Sequence, residues 1–293
     1  MPLTFFWVFL VLMAAGIPIV FALAAGPLAG FLLADQATFM KMLPQRMFGG
    51  IAQFPILAIP LFILAGEVMN VSGITKSLVH FANVLIGHVR AGLAQANIVA
   101  SIMFAGLSGS AVADTSALGS IFIPAMEKDG YSRPFAAAVT AASSVIGPII
   151  PPSIPMVLYA LVSDQSVGYL FAAGMAPGLL MGLMMGVTNF LVARKRGFPI
   201  DNSVPLAEMP RVTFQAFPAL MLPVILLGGI YSGVVTPTEA AAVAAFYALV
   251  ISVLFYRSVS PGQFYRTLAS SSRSTASVGI LIAGALTFNY VIT

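Results

Sequence analysis

AGLSGSAVADTSALGS, residues 105–120, places Ser108, Gly109, Ser110, Asp114 and Thr115 inside a chain that is otherwise strongly apolar. Of the 293 residues 59% are hydrophobic and 8% charged, against about 25% charged in ordinary soluble domains. Uncharged runs longer than the ~20 residues that span a bilayer as a helix recur along the sequence. The chain therefore reads as an all-α polytopic membrane protein, and the quoted stretch as a polar interruption within it. Residue 109 is the midpoint of the weakly charged segment 91–127. Two arms of about 17 residues, roughly 25 Å of helix each, would carry Ser108-Gly109-Ser110 deep into the membrane as the tip of a hairpin. Backbone at such a tip cannot close its own helical bonds and must face protein or a water-filled cavity. Asp114, in the first turn of the second arm, favours that helix N-terminus. A carboxylate at that depth costs a few kcal/mol or more unless paired or hydrated, which makes it a functional candidate.

A second interruption follows in SSVIGPIIPPSIP, residues 143–155. Pro148, Pro151 and Pro152, with Pro155, each remove a backbone donor and disfavour helix before them. The uncharged window 134–163 exceeds what a straight span requires, so its centre is expected to unwind at Gly147-Pro148. Bare carbonyls there, with the hydroxyls of Ser143, Ser144 and Ser153, suit a hard cation such as Na⁺. Half-helix N-termini aimed at the same cavity favour a carboxylate. Two interrupted segments this close in sequence point to one binding site. The plainer alternative is that Gly and Ser allow tight packing and the prolines merely kink a helix.

Outward from this centre, apolar blocks at 3–15 and 17–33 flank Gly16-Ile17-Pro18, followed by a mixed segment at 35–49 and a span at 50–70. Lys76, His80, Asn83 and His88 form a polar stripe, so 74–90 reads as an amphipathic helix on the membrane surface. Further spans are expected at 166–193, 217–234, 237–256 and 275–293, with a polar connection at 197–216 and a second mixed segment at 262–273 leading into the last span. Two spans, a mixed segment and a span occur at both ends, in 1–70 and 217–293. With an odd number of crossings between them they form an inverted pair, a transporter architecture. We divide the chain into scaffold helices of repeat 1 (1–73), an amphipathic arm (74–90), the hairpin and broken helix (91–165), a closing span and cytoplasmic connection (166–216), and the scaffold helices that open an incomplete repeat 2 (217–293). Arg194-Lys195-Arg196 marks the cytoplasmic side. Every Lys and Arg but Lys41 and Arg46 then shares that side, and the N-terminus is periplasmic. Letting 91–113 cross completely gives an equally good count, so charge alone leaves the hairpin open.

Cysteine is absent and there are two histidines, which removes disulfides and thiolate or imidazole metal clusters; no cofactor is expected. The N-terminus lacks a basic n-region and reads as retained helices rather than a signal peptide. No basic patch interleaved with aromatics suggests nucleic acid. Gly106-Leu107-Ser108-Gly109 fits the G-x-S-G pattern of intramembrane serine proteases, but a nucleophilic serine needs a base within reach. Both histidines precede it, on the amphipathic stretch. A scaffold or channel subunit without a transport site is the other rival, and no charge ring or filter repeat supports it.

Residues 105–160, with FPILAIPLFILAGEVM (54–69) and GVVTPTEAAAVAAFYAL (233–249), resemble the large membrane subunit of TRAP transporters, the DctM-like family, in order and over essentially the whole chain. The resemblance implies an elevator-type transporter of the bacterial inner membrane, with inverted repeats and two re-entrant hairpins. It implies Na⁺-driven import of an organic anion, of sialic acid or C4-dicarboxylate type. A small four-helix membrane subunit and a periplasmic substrate-binding protein are the implied partners. By the same resemblance Ser108, Gly109, Ser110, Ser143, Ser144, Gly147 and Pro148 clamp a sodium ion, with Asp114, Thr115, Pro151, Pro152 and Ser153 as substrate or hairpin support. The implied second hairpin and its partner span are missing from this sequence, which is expected to be truncated in its second repeat.

Overall fold

The computed structural model describes residues 4–35, 37–196, 198 and 208–292, and every regular element among them is helical. Five helices are long and apolar enough to cross a membrane: Phe54–Val71, Val167–Arg196, Met209–Tyr231, Pro237–Phe255 and Pro261–Val291. The chain is thus a polytopic α-helical membrane protein. It forms two compact units, one of residues 1–56 with 270–293 and one of 57–269.

The smaller unit begins with α1 (Thr4–Ala14) and α2 (Ile19–Leu33). Gly16, at φ +79°, reverses the chain between them, a conformation glycine adopts without steric cost. Gly26 and Gly30, one turn apart on α2, accept Phe5 of α1: a Cβ at Gly30 would lie 2.9 Å from the Phe5 side chain. The short α3 (Ala37–Met40) and α4 (Leu43–Ile51) follow. Phe5, Phe31, Leu43 and Val291 form the unit's core, with Phe288 and Tyr290 against it.

The larger unit runs from α5 (Ala58–Val71), preceded by a 3₁₀ turn at Phe54–Leu57, through α6 (Ile74–Ile86), α7 (Gly92–Ser108), α8 (Ala111–Lys128), α9 (Arg133–Ser144), α10 (Ile154–Ser163), α11 (Val167–Arg196) and α12 (Met209–Tyr231) to α13 (Pro237–Val250), which widens into a π turn at Ile251–Phe255. On α6, Ile74, Leu78 and Ala82 are buried while Lys76 and His80 are exposed. α13 opens with a complete capping box between Thr236 and Glu239. Its alanines 240, 241, 244, 245 and 248 are buried, small enough for α5 to pack closely. On α11, Gly174, Gly178, Gly182 and Gly186 recur every fourth residue. A Cβ at Gly174 would meet the Ile149 carbonyl at 2.5 Å, and one at Gly182 the Ile102 side chain at 2.5 Å. This small-residue ridge seats α7 and the 145–153 turn against α11, and so places the two interruptions.

Two boundaries differ from the sequence expectation. α12 starts at Met209, ahead of the expected 217, because Val212, Ala216, Ala219, Leu222 and Leu226 form one buried helical face behind Pro210 at the first turn. The rest of the 197–216 connection, Phe198 and Glu208 aside, lies outside the described residues. The mixed segment at 262–273, placed ahead of the last span, forms the first third of α14 (Pro261–Ile292), which runs unbroken despite its serines. Further along the same helix Ser277 donates to the Arg273 carbonyl at 3.0 Å.

Candidate functional site

Both polar interruptions are real breaks, and they meet. α7 stops at Ser108, Gly109 takes φ +58°, and α8 restarts at Ala111 with Ser110 as its N-cap, the hydroxyl accepting from the Ala113 N–H at 3.4 Å. α9 stops at Ser144, three residues before the expected Gly147, and α10 restarts at Ile154 with Ser153 as N-cap. Ser153 accepts from the Met156 N–H at 3.3 Å and donates to the Pro148 carbonyl at 2.5 Å. That carbonyl would receive the N–H of residue 152 in a helix, and Pro152 has none; the serine hydroxyl replaces it. The Gly147 carbonyl likewise loses the donor that Pro151 lacks. The Pro151–Pro152 peptide is cis.

The two breaks fit together through glycines. A Cβ on Gly109 would overlap the Pro152 carbonyl oxygen and lie 3.2 Å from the Ser153 Cα. A Cβ on Gly147 would lie 2.6 Å from Asp114 Oδ2 and 3.1 Å from the Ser144 carbonyl. The starts of α8 and α10, with their positive dipole ends, therefore lie side by side, and the Asp114 carboxylate lies against the unwound turn of the other helix. Gly66 of α5 closes the far side, 3.2 Å from the Leu107 carbonyl when a Cβ is placed on it.

Asp114 is fully buried. Its Oδ1 accepts a hydrogen bond from the Ser108 hydroxyl, whereas Oδ2 has no partner among the described residues. A buried carboxylate oxygen without a partner is costly and marks a place where a positive or hydrogen-donating group belongs. Ser143 and Ser144 are buried with their hydroxyls turned to the Thr140 carbonyl, at 3.1 and 2.8 Å. Thr115 bonds its own helix, donating to the Ala111 carbonyl at 2.8 Å.

Sequence reasoning missed the polar seam that ties the two broken segments together. Asn97 Nδ2 donates to Thr140 Oγ1 at 2.7 Å and Ser101 to Ser143 Oγ at 2.8 Å, all four residues fully buried. Asn97, Ser101 and Ser108 share one face of α7, a periodicity present in the sequence. Its partner face on α9 becomes visible only once the helices are placed.

A membrane bundle whose two interrupted helices bring their ends and a buried carboxylate to one point has the build of a secondary transporter subunit. The match to known families agrees. Residues 6–293 fit the tripartite ATP-independent periplasmic transporter, DctM component, and the chain belongs to that family. It is 40% identical over 281 residues to the sialic acid TRAP transporter large permease protein SiaM of Vibrio cholerae, covering 96% of this chain and 66% of the relative. It is 41% identical over 254 residues to the C4-dicarboxylate large permease DctM of Pseudomonas aeruginosa, covering 87% and 60%. The isethionate TRAP transporter permease protein DctMQ of Oleidesulfovibrio alaskensis is 39% identical over 289 residues, covering 98% and 45%. The chain thus spans less than two thirds of the length of these relatives. They are transporter permeases rather than enzymes, which disposes of the protease reading. His80 pairs instead with Glu208 at 3.9 Å, both well exposed.

Proposed function

We propose that this chain is the membrane-embedded part of a Na⁺-driven importer of an organic anion, and that the junction of its two broken helices holds the coupling ion. The observation that carries this reading is the unpartnered, fully buried Asp114 Oδ2 lying against Gly147. The donor set fits a hard cation: this carboxylate oxygen, the Ser108 hydroxyl and the Gly147 carbonyl are all oxygens, of the kind that bind such ions. Gly109, Ser110, Ser143, Ser144 and Pro148 shape the surrounding shell, and Pro151, Pro152 and Ser153 keep the turn open. The paired N-termini of α8 and α10 supply partial positive charge to an anionic substrate. The named relatives carry sialic acid, C4-dicarboxylates and isethionate, so a small carboxylate or sulfonate is the class proposed here.

A small membrane subunit and a periplasmic binding protein are the proposed partners, the hairpin and broken helix move together as an elevator, and the N-terminus faces the periplasm. The test is uptake by the complete transporter in proteoliposomes, with its binding protein supplied. Uptake should require an inward Na⁺ gradient and should be abolished in the Ser108→Ala/Asp114→Ala double variant. Uptake that persists without Na⁺, or in that variant, would overturn the reading.

A further inference from the structure

We propose that the smaller unit carries a binding site for the phosphate headgroup of a phospholipid, in a cavity of about 510 Å³ lined by α4 and α14. Its lining includes Arg46, Gln45, Gln53, Asn289, Tyr290 and Leu286. The Arg46 guanidinium carbon stands 4.8 Å from the centre of the Tyr290 ring, close enough for a cation–π contact that orients the fork. Planar, fixed guanidinium groups are suited to bidentate phosphate recognition.

This cation has no internal counter-charge. Asp35 is the single acidic residue in the whole unit, and among the described residues no carboxylate pairs with Arg46. The amides of Gln45 and Gln53 add hydrogen-bond donors beside it. Gln53 spends one N–H on the Gly49 carbonyl, at 3.1 Å, and keeps the other. The cavity therefore combines one uncompensated positive charge with amide donors, an anion site by chemistry.

A lipid, rather than a free anion, fits the surroundings. α4 is amphipathic, with Leu43 buried in the unit's core and Phe48 71% exposed. Phe39 and Phe54 on the flanking segments are exposed as well, and Leu286 gives the cavity an apolar wall. Aromatic side chains exposed beside a basic residue are the arrangement of a helix lying at the headgroup boundary. Acyl chains would cover the phenylalanines while the phosphate reaches Arg46.

Gly49 supplies the control. It lines the cavity, and a Cβ there would meet nothing within 4 Å, so a side chain starts from open space and Gly49→Leu is the variant that fills the cavity. The experiment is native mass spectrometry of the full chain taken from vesicles of phosphatidylethanolamine and phosphatidylglycerol, counting retained phospholipid. Arg46→Ala and Gly49→Leu should each lower occupancy by about tenfold or more, equivalent to the loss of one good charged contact, and Arg46→Lys should fall between. Circular dichroism establishes folding; should Arg46→Ala fail to fold, Gly49→Leu decides alone. Unchanged occupancy in the folded variants, or no retained lipid in the parent, overturns the proposal. Displacement of the lipid by soluble glycerol phosphate, with that compound then bound in its place, overturns the lipid assignment too.

Discussion

Asp114 is held by one hydrogen bond and leaves one oxygen bare, so its two substitutions should separate structure from function. Asparagine can still accept from Ser108 while removing the charge. Asp114→Asn should therefore keep its Tm in sodium-free buffer, or exceed the parent's, since burying an unpaired charge opposes folding. On the proposed function Na⁺ should raise the parent's Tm, as any ligand that binds only the folded state does, and Asp114→Asn should lose that rise. An undiminished sodium effect in Asp114→Asn would remove the carboxylate from the site. The glycines report on the same contact from the other side. Gly147→Ala puts a methyl 2.6 Å from Asp114 Oδ2 and should abolish the sodium effect with a modest loss of Tm. Gly109→Ala must also adopt φ +58°, which costs roughly 1–2 kcal/mol for a residue with a Cβ. Added to the overlap with Pro152, this should make it the less stable of the two by thermal unfolding in detergent.

At the level of elements, the two N-caps of the junction are unequal. Ser110 makes one long bond to the start of α8, whereas Ser153 both caps α10 and satisfies the carbonyl stranded by Pro152. Ser153→Ala should cost about 1 kcal/mol for the cap and a further 1–3 kcal/mol for the abandoned carbonyl. Ser110→Ala should cost the cap alone, a ranking that denaturant unfolding monitored on the two variants would check. These elements were legible before folding was considered, because serine, proline and aspartate inside an uncharged run conflict visibly with a spanning helix. Gly147-Pro148 marked the second break but not its start, since Val145 and Ile146 look like ordinary helix and turn out only because the prolines beyond them withhold donors. The unbroken α14 was hidden for the opposite reason: Ser and Thr at its start can turn back on their own helix, and no composition tells that from a loop. Arg46 and Tyr290, 244 positions apart, could be joined only by the fold.

Over the whole molecule, the seam of Asn97–Thr140 and Ser101–Ser143 bears on how the larger unit moves. Hydrogen bonds buried among apolar side chains break reluctantly, because each separated group would be left without a partner. The seam should thus fasten α7 to α9, and with them both halves of the junction, into one body that keeps its internal geometry while the ion and substrate change sides. Residues 1–293 contain no cysteine, so Ser101→Cys/Ser143→Cys places the only two thiols of this stretch on the seam. The parent hydroxyl oxygens are 2.8 Å apart, within reach of the geometry a disulfide needs. If the bundle travels as a rigid body, oxidising the pair in the complete transporter should leave Na⁺-driven uptake as it was before oxidation, with the cross-link confirmed by mass spectrometry. If instead the hairpin separates from the broken helix to release its ion, the same cross-link should stop uptake and reduction should restore it. The first outcome matches a seam built to be closed at every stage of the cycle. The second would show that its buried bonds open in each turnover, and would require water to reach Asn97 and Ser101 during transport.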